Sequence, residues 1–116
     1  MTELNPVGAA WAEGAIARGN VNRDQTWHFD AADATALLGD PPDWDTYPQW
    51  FLGHDPNAPV DTKEAWKYPL AKRVDGHPIL FRSALEAIRH RSAQHDAEPL
   101  YETAGRLLGL IDGDQR

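Results

Sequence analysis

The sequence predicts a small single-domain α+β fold, and three observations carry that prediction. Asp75-Gly76 separates two extended runs, as in a tight hairpin turn that needs positive φ. A Ser83-x-x-Glu86 pattern opens an apolar-faced segment in the manner of a helix capping box. Glu98-Pro99 opens a second such segment, with Leu100, Ala104, Leu107, Leu108 and Ile111 recurring at helical spacing. A chain of 116 residues fits one domain. Folding at that length buries roughly two thirds of the extended-chain surface, which leaves room for one core.

In chain order, Ala9 to Arg18 reads as a short helix weakened by Gly8 and Gly14 and ended by Gly19-Asn20, so residues 1–20 are open to loose attachment. Val21 to Phe29 reads as a strand or an ordered arm, with apolar residues only at its ends. Asp30, with Asp33 three residues on, caps a short helix anchored by Leu37 and Leu38 and stopped at Gly39. Residues 43–53 are another helical candidate, in which Pro48 is tolerable only in the first turn. Trp44, Tyr47, Trp50 and Phe51 would line one side of it. They could form a stacking platform for a ligand, but core packing is the commoner fate of such a cluster.

Pro56 and Pro59 forbid regular structure after His54. A β-hairpin over about 66–82 follows, with Trp66 to Val74 and His77 to Arg82 as its arms and Pro69 and Pro78 marking edges or strand ends. The helices opening at Ser83 and Glu98 are expected to pair, giving short N-terminal helices, one hairpin and a C-terminal helix pair.

Composition narrows the function classes. Hydrophobic content of 41% with five Trp argues against wholesale disorder. A mean hydropathy of −0.60 without a long apolar run argues against a membrane span. The start carries Glu3 and no sustained apolar stretch, which does not read as a secretory signal, and zero Cys excludes disulfides and thiolate zinc sites. The expected setting is therefore the cytoplasm.

Net charge is −7, but residues 63–91 hold seven Lys or Arg against three acids, a balance of +4 that leaves −11 on the remainder. Such separation suits docking on a charged partner or self-association, and the simplest alternative is a solvated face. Lys67, Lys72, Arg73, Arg89 and Arg91 are the candidate partner-binding residues. The acidic remainder disfavours nucleic acid, whose phosphates call for net positive charge.

Catalytic and cofactor signals are thin. Ser83 and Ser92 are the only serines, both explained by helix placement, and no G-x-S-x-G elbow is present. His90 and His95 are five apart, about 140° around a helix, so they cannot chelate one metal from a common face. Asp55, Asn57 and Asp61 lack the Gly and terminal acid of a calcium loop, and no Gly-rich phosphate cradle appears. No catalytic, metal or cofactor residue is expected.

The segments VNRDQTWHFDAADATALLG, DWDTYPQWFLGHD, DTKEAWKYPLAKRVDG, LFRSALEAIRHRSAQ and LYETAGRLLGLIDG follow one another between residues 20 and 113. In that order and spacing the chain resembles a small module of tailed-bacteriophage and prophage head genes, often beside or joined to prohead-protease sequences. Trp27, Trp44, Leu52-Gly53, Asp61-Thr62-Lys63, Tyr68-Pro69, Arg91 and Gln94 are the anchors. The resemblance implies a non-enzymatic head-associated protein, a capsid-assembly or accessory component. It would meet capsid or other virion proteins in the cytoplasm of a bacterial host or in the virion. No protease-site residue is matched, so proteolysis is not carried over. The alternatives are a partner subunit of a prohead protease and a stand-alone module for a peptide or nucleic acid.

Overall fold

Helix α1 begins earlier than the glycines suggest, at Pro6, because Asn5 and its surroundings hold its first turn. The computed structural model describes residues 2–95 and 97–113, and α1 spans Pro6–Ala17. The Asn5 side chain accepts from the Val7 N–H at 3.3 Å and donates to the carbonyls of Pro48 at 2.8 Å and Phe51 at 2.9 Å. Its backbone N–H meets the Leu52 carbonyl at 2.7 Å. Asn5 is 4% exposed, so a buried polar group is satisfied on every side. Gly8 is required where it stands, because a Cβ there would overlap the Phe51 carbonyl. The described part of the N-terminal segment is thus tied into the fold through Asn5 and α1, and Ala12, Ala15 and Ile16 lie in its core.

Helix α2, Ala31–Leu38, carries the expected capping: Asp30 Oδ1 accepts from the Asp33 N–H, and Asp33 Oδ2 accepts from the Asp30 N–H, both at 3.0 Å. The helical candidate at 43–53 is corrected. Only Tyr47–Trp50 turns, as a single 3-10 turn with Pro48 in it, and Phe51–His54 is a strand, β3. Flanking strands decide this, since β3 pairs antiparallel with β1 (Glu3–Leu4) on one side and β4 (Trp66–Pro69) on the other.

The second sheet has the order β2 (Val21–Asn22), β6 (His77–Phe81), β5 (Ala71–Val74). The expected turn closes its hairpin, with Asp75 at φ 53° and Gly76 at φ 83° and Val74 opposite His77. The hairpin is shorter than the 66–82 expected. Trp66–Pro69 belongs to the other sheet, and the chain crosses over at buried Leu70, whose N–H donates to the Trp50 carbonyl (2.8 Å) and whose carbonyl accepts from the Phe81 N–H (3.0 Å). Of the extended segment 21–29, only Val21–Asn22 pairs, parallel to β6, and the rest is an arm.

Strand β6 runs directly into α3, Arg82–Gln94, so Phe81 occupies the N-cap position without a side-chain cap. The capping box expected of Ser83 and Glu86 is therefore absent. Ser83 lies inside the first turn and donates its hydroxyl to the Gln25 carbonyl at 2.7 Å, while Glu86 accepts from Arg82 at 2.8 Å. Helix α4, Glu98–Gly113, buries Leu100, Ala104, Leu107, Leu108 and Ile111 and packs along α3.

Two clusters make the interior. One joins α1, α3 and α4 through Leu52, Leu70 and Leu80. The other is aromatic: Tyr47, Trp50 and Phe51 pack on Leu37, Leu38 and Ala71, with Trp44 at their margin. Tyr47, Trp50 and Phe51 are core with Trp44 partly buried against them, and no helix of the described residues is long and apolar enough to cross a membrane.

Gly8→Ala is expected to destabilise by at least about 2 kcal/mol through overpacking against Phe51, although alanine is the better helix former. Gly109→Ala, on α4 with open space around it, should stabilise by up to about 1 kcal/mol. Chemical denaturation of both variants checks the pair, and a shared sign would refute the close approach. Trp50 is 4% exposed and its indole N–H has no acceptor among the described residues. Trp50→Ala should cost on the order of 3 to 5 kcal/mol. Trp50→Phe should cost much less, because it removes an unsatisfied donor worth about 1 to 3 kcal/mol. Equal losses in thermal melts would contradict this.

A candidate partner-binding groove

The five cations proposed for partner binding do not share one surface, because the chain changes sheet between them. Arg73 lies over the Trp50 ring at 5.4 Å and donates to the carbonyls of Ala36 (2.8 Å) and Gly76 (3.1 Å). It fastens the hairpin to α2. Arg89 stacks on Tyr101 at 4.7 Å and donates to its hydroxyl at 3.1 Å, clamping α3 to α4. Lys72 places Nζ 5.6 Å from the Trp27 ring centre and 5.5 Å from that of Phe81.

Lys67 and Arg91 do converge. Both line a groove of about 640 Å³ whose β4 wall is Lys67, Tyr68 and Pro69 and whose α3 wall is Ala87, Ile88 and Arg91. The arm after β2 supplies the third wall, Trp27, His28 and Phe29, and Thr2 also lines the cavity. Trp27 stacks on Phe29 with centroids 5.6 Å apart and 17° between planes, and it leans on buried Phe81 at 5.4 Å. A half-buried indole held from two sides, with Lys72 above it, offers a rigid aromatic wall.

Charge around the groove is uneven. The ion pairs of Lys and Arg among the described residues use Arg82 and Arg106, and Lys67 and Arg91 enter none. Among the described residues, no Asp or Glu lines the groove. Of the lining residues, His28 faces an acid, Asp30, at 3.4 Å, and the Asp33 N–H holds that carboxyl below the usual range. Tyr68 has φ 59°, a left-handed conformation that costs a bulky residue on the order of 1 to 3 kcal/mol. Its ring packs where a Gly53 side chain would otherwise sit, and it also lines a second groove of about 780 Å³ with Leu4, Ala97 and Leu100.

Residue-level reasoning missed Trp27, Phe29 and Tyr68 as groove walls. They are distant in sequence, and only three-dimensional packing brings them together. Four anchors of the phage-head resemblance, Trp27, Tyr68, Pro69 and Arg91, do line the groove. Elsewhere, both serine hydroxyls are engaged, Ser83 with Gln25 and Ser92 with the Ile88 carbonyl at 2.7 Å. No group of three or more His, Asp or Glu among the described residues is placed to hold a metal ion. No protein-family model matches the sequence, and no curated protein or solved structure matches it either.

Behind the groove, Arg82 grips Asp112 through Nε at 2.9 Å and a terminal nitrogen at 3.0 Å, joining the start of α3 to the end of α4. Hydrogen bonding to Arg82 holds the Asp112 carboxyl below its ordinary value of 3.8. Because the folded value is depressed, the pair's contribution is present above the unfolded value and is lost as pH falls through the folded one. An NMR titration should place the Asp112 midpoint below 3.8 and return it toward that value in Arg82→Gln. An identical midpoint in both proteins would show that the fork exerts no hold.

Proposed function

We propose that the chain is a non-enzymatic head-associated protein of a tailed phage or prophage, acting by contact with capsid or other virion proteins in a bacterial host's cytoplasm or in the virion. The observation that carries this reading is the convergence of four resemblance anchors on one groove, beside the Lys67 and Arg91 cations of an acidic chain. A docking role needs an exposed, electrostatically distinct patch on a rigid frame, and the groove supplies one.

Co-sedimentation with purified capsid shells tests the proposal. Wild type should sediment with shells, less so as salt is raised, and Lys67→Glu combined with Arg91→Glu should bind weakly with a flatter salt response. Both positions are exposed, so the fold should persist. They are better choices than Arg73, whose reversal would break bonds to Ala36 and Gly76. Absence of wild-type protein from the shell fraction, or equal recovery of the double variant, would reject the reading.

A further inference from the structure

We propose that the groove between β4, α3 and the Trp27–Phe29 arm binds an extended segment of a partner protein in which a carboxylate stands next to an aromatic or bulky apolar side chain. The inference rests on the docking reading above and specifies the chemistry of what docks.

Charge complementarity comes first. With 18 acids against 11 Lys and Arg, this chain has abundant carboxylates with which to neutralise its own cations. Yet Lys67 and Arg91 reach the same cavity from two different walls and, among the described residues, enter no ion pair and share a lining without Asp or Glu. A carboxylate brought from outside fills that place, and the Arg91 guanidinium can take it with two parallel bonds.

The aromatic wall supplies the second requirement. Trp27 is half-buried and braced by Phe29 and Phe81, so it offers a flat apolar surface with little freedom left to lose on binding. The third requirement is an extended shape. Strand β4 is the outer strand of its sheet, paired with β3 on one side only, and its residues Lys67 to Pro69 form a wall of the groove. A partner chain running beside that edge meets the cations and the indole in turn, and beyond Tyr68 it reaches the second groove at Leu4 and Leu100.

Single-stranded nucleic acid also favours aromatic stacking with positive charge, but it presents a phosphate at every nucleotide and needs a cationic track. Here two cations line the cavity, and the chain outside residues 63–91 carries −11. A peptide with one or two carboxylates fits this distribution, whereas a polyanion has too few cations to pair with and is opposed by the net negative charge of the rest of the chain.

Selection of random displayed peptides on the full chain tests the inference, followed by amide-shift mapping with the best synthesised peptide. The enriched sequences should place Asp or Glu beside Trp, Phe, Leu or Ile. The shifts should fall on the Trp27 indole N–H and on backbone amides of 67–68 and 87–91. Lys67→Glu with Arg91→Glu should weaken the peptide's Kd by about tenfold or more with an unchanged circular dichroism spectrum. Trp27→Leu should weaken it as well. Because Trp27 also packs internally, the charge variant alone decides the matter if that protein misfolds. The inference is overturned by enrichment of basic or acid-free peptides, by no enrichment, by shifts elsewhere, or by a short oligothymidylate giving the same shifts at lower concentration. Peptide binding without shell binding would reject head association and leave the groove chemistry standing. Shell binding without peptide binding would reject the groove chemistry alone.

Discussion

The crossing at Leu70 is the constraint on which the rest of the molecule depends. Residues 66–74 form one run of chain, yet they serve two sheets, and Leu70 joins them by donating to Trp50 in one direction and accepting from Phe81 in the other. Both bonds are shielded from water, since Leu70 is fully buried, so breaking either would strand a backbone group in the core. Tyr68, two residues earlier, turns the chain through a left-handed conformation, and Gly53 leaves space for its ring. Without that turn the run could continue as one long hairpin arm, and the two core clusters would lose the segment that bridges them.

The distribution of the cations follows from the same crossing. Four cations lie at Lys63, Lys67, Lys72 and Arg73, but the change of sheet sends Lys67 to the α3 groove and Arg73 to α2. The arginines that stack on aromatics, Arg73 on Trp50 and Arg89 on Tyr101, use their planar fork to bond carbonyl or hydroxyl oxygens at the same time, which a lysine cannot reproduce. Those side chains join elements of the fold. Lys67 and Arg91 have no such partner among the described residues, so their charge is available to something else.

Local signals in the sequence translated well where no distant segment competed for the same groups. The Asp30 and Asp33 capping box, the Asp75-Gly76 turn and the apolar stripe of the last helix each depend on neighbours three or four positions away, and each is present. Features settled at long range were illegible. Phe51–His54 became a strand because Glu3–Leu4 and Trp66–Pro69 flank it, overriding the helical spacing of the aromatics before it. Ser83 resembled a cap until β6 ran straight into α3 and Gln25 took its hydroxyl. The groove failed to announce itself for the same reason, since its walls come from three segments that share no local pattern.

An outer strand with one open side is ordinarily a hazard, because any extended chain can pair with it. Strand β4 carries two features that restrict this: a lysine that must be neutralised and a proline that has no N–H to offer. Neither prevents a chain from lying alongside. Together they make indiscriminate pairing poor, and in the proposed docking they would shift selectivity from backbone hydrogen bonds to side chains, namely Lys67 and Arg91 for charge and Trp27 for apolar area. Under that proposal the surface would discriminate by penalty as much as by attraction, since a basic segment would meet two cations with no acid among the described lining residues to offset them. The excess of negative charge elsewhere on the chain would act in the same sense at longer range, opposing an approaching polyanion, whereas a short acidic segment within about a Debye length of the two cations would feel mainly their attraction.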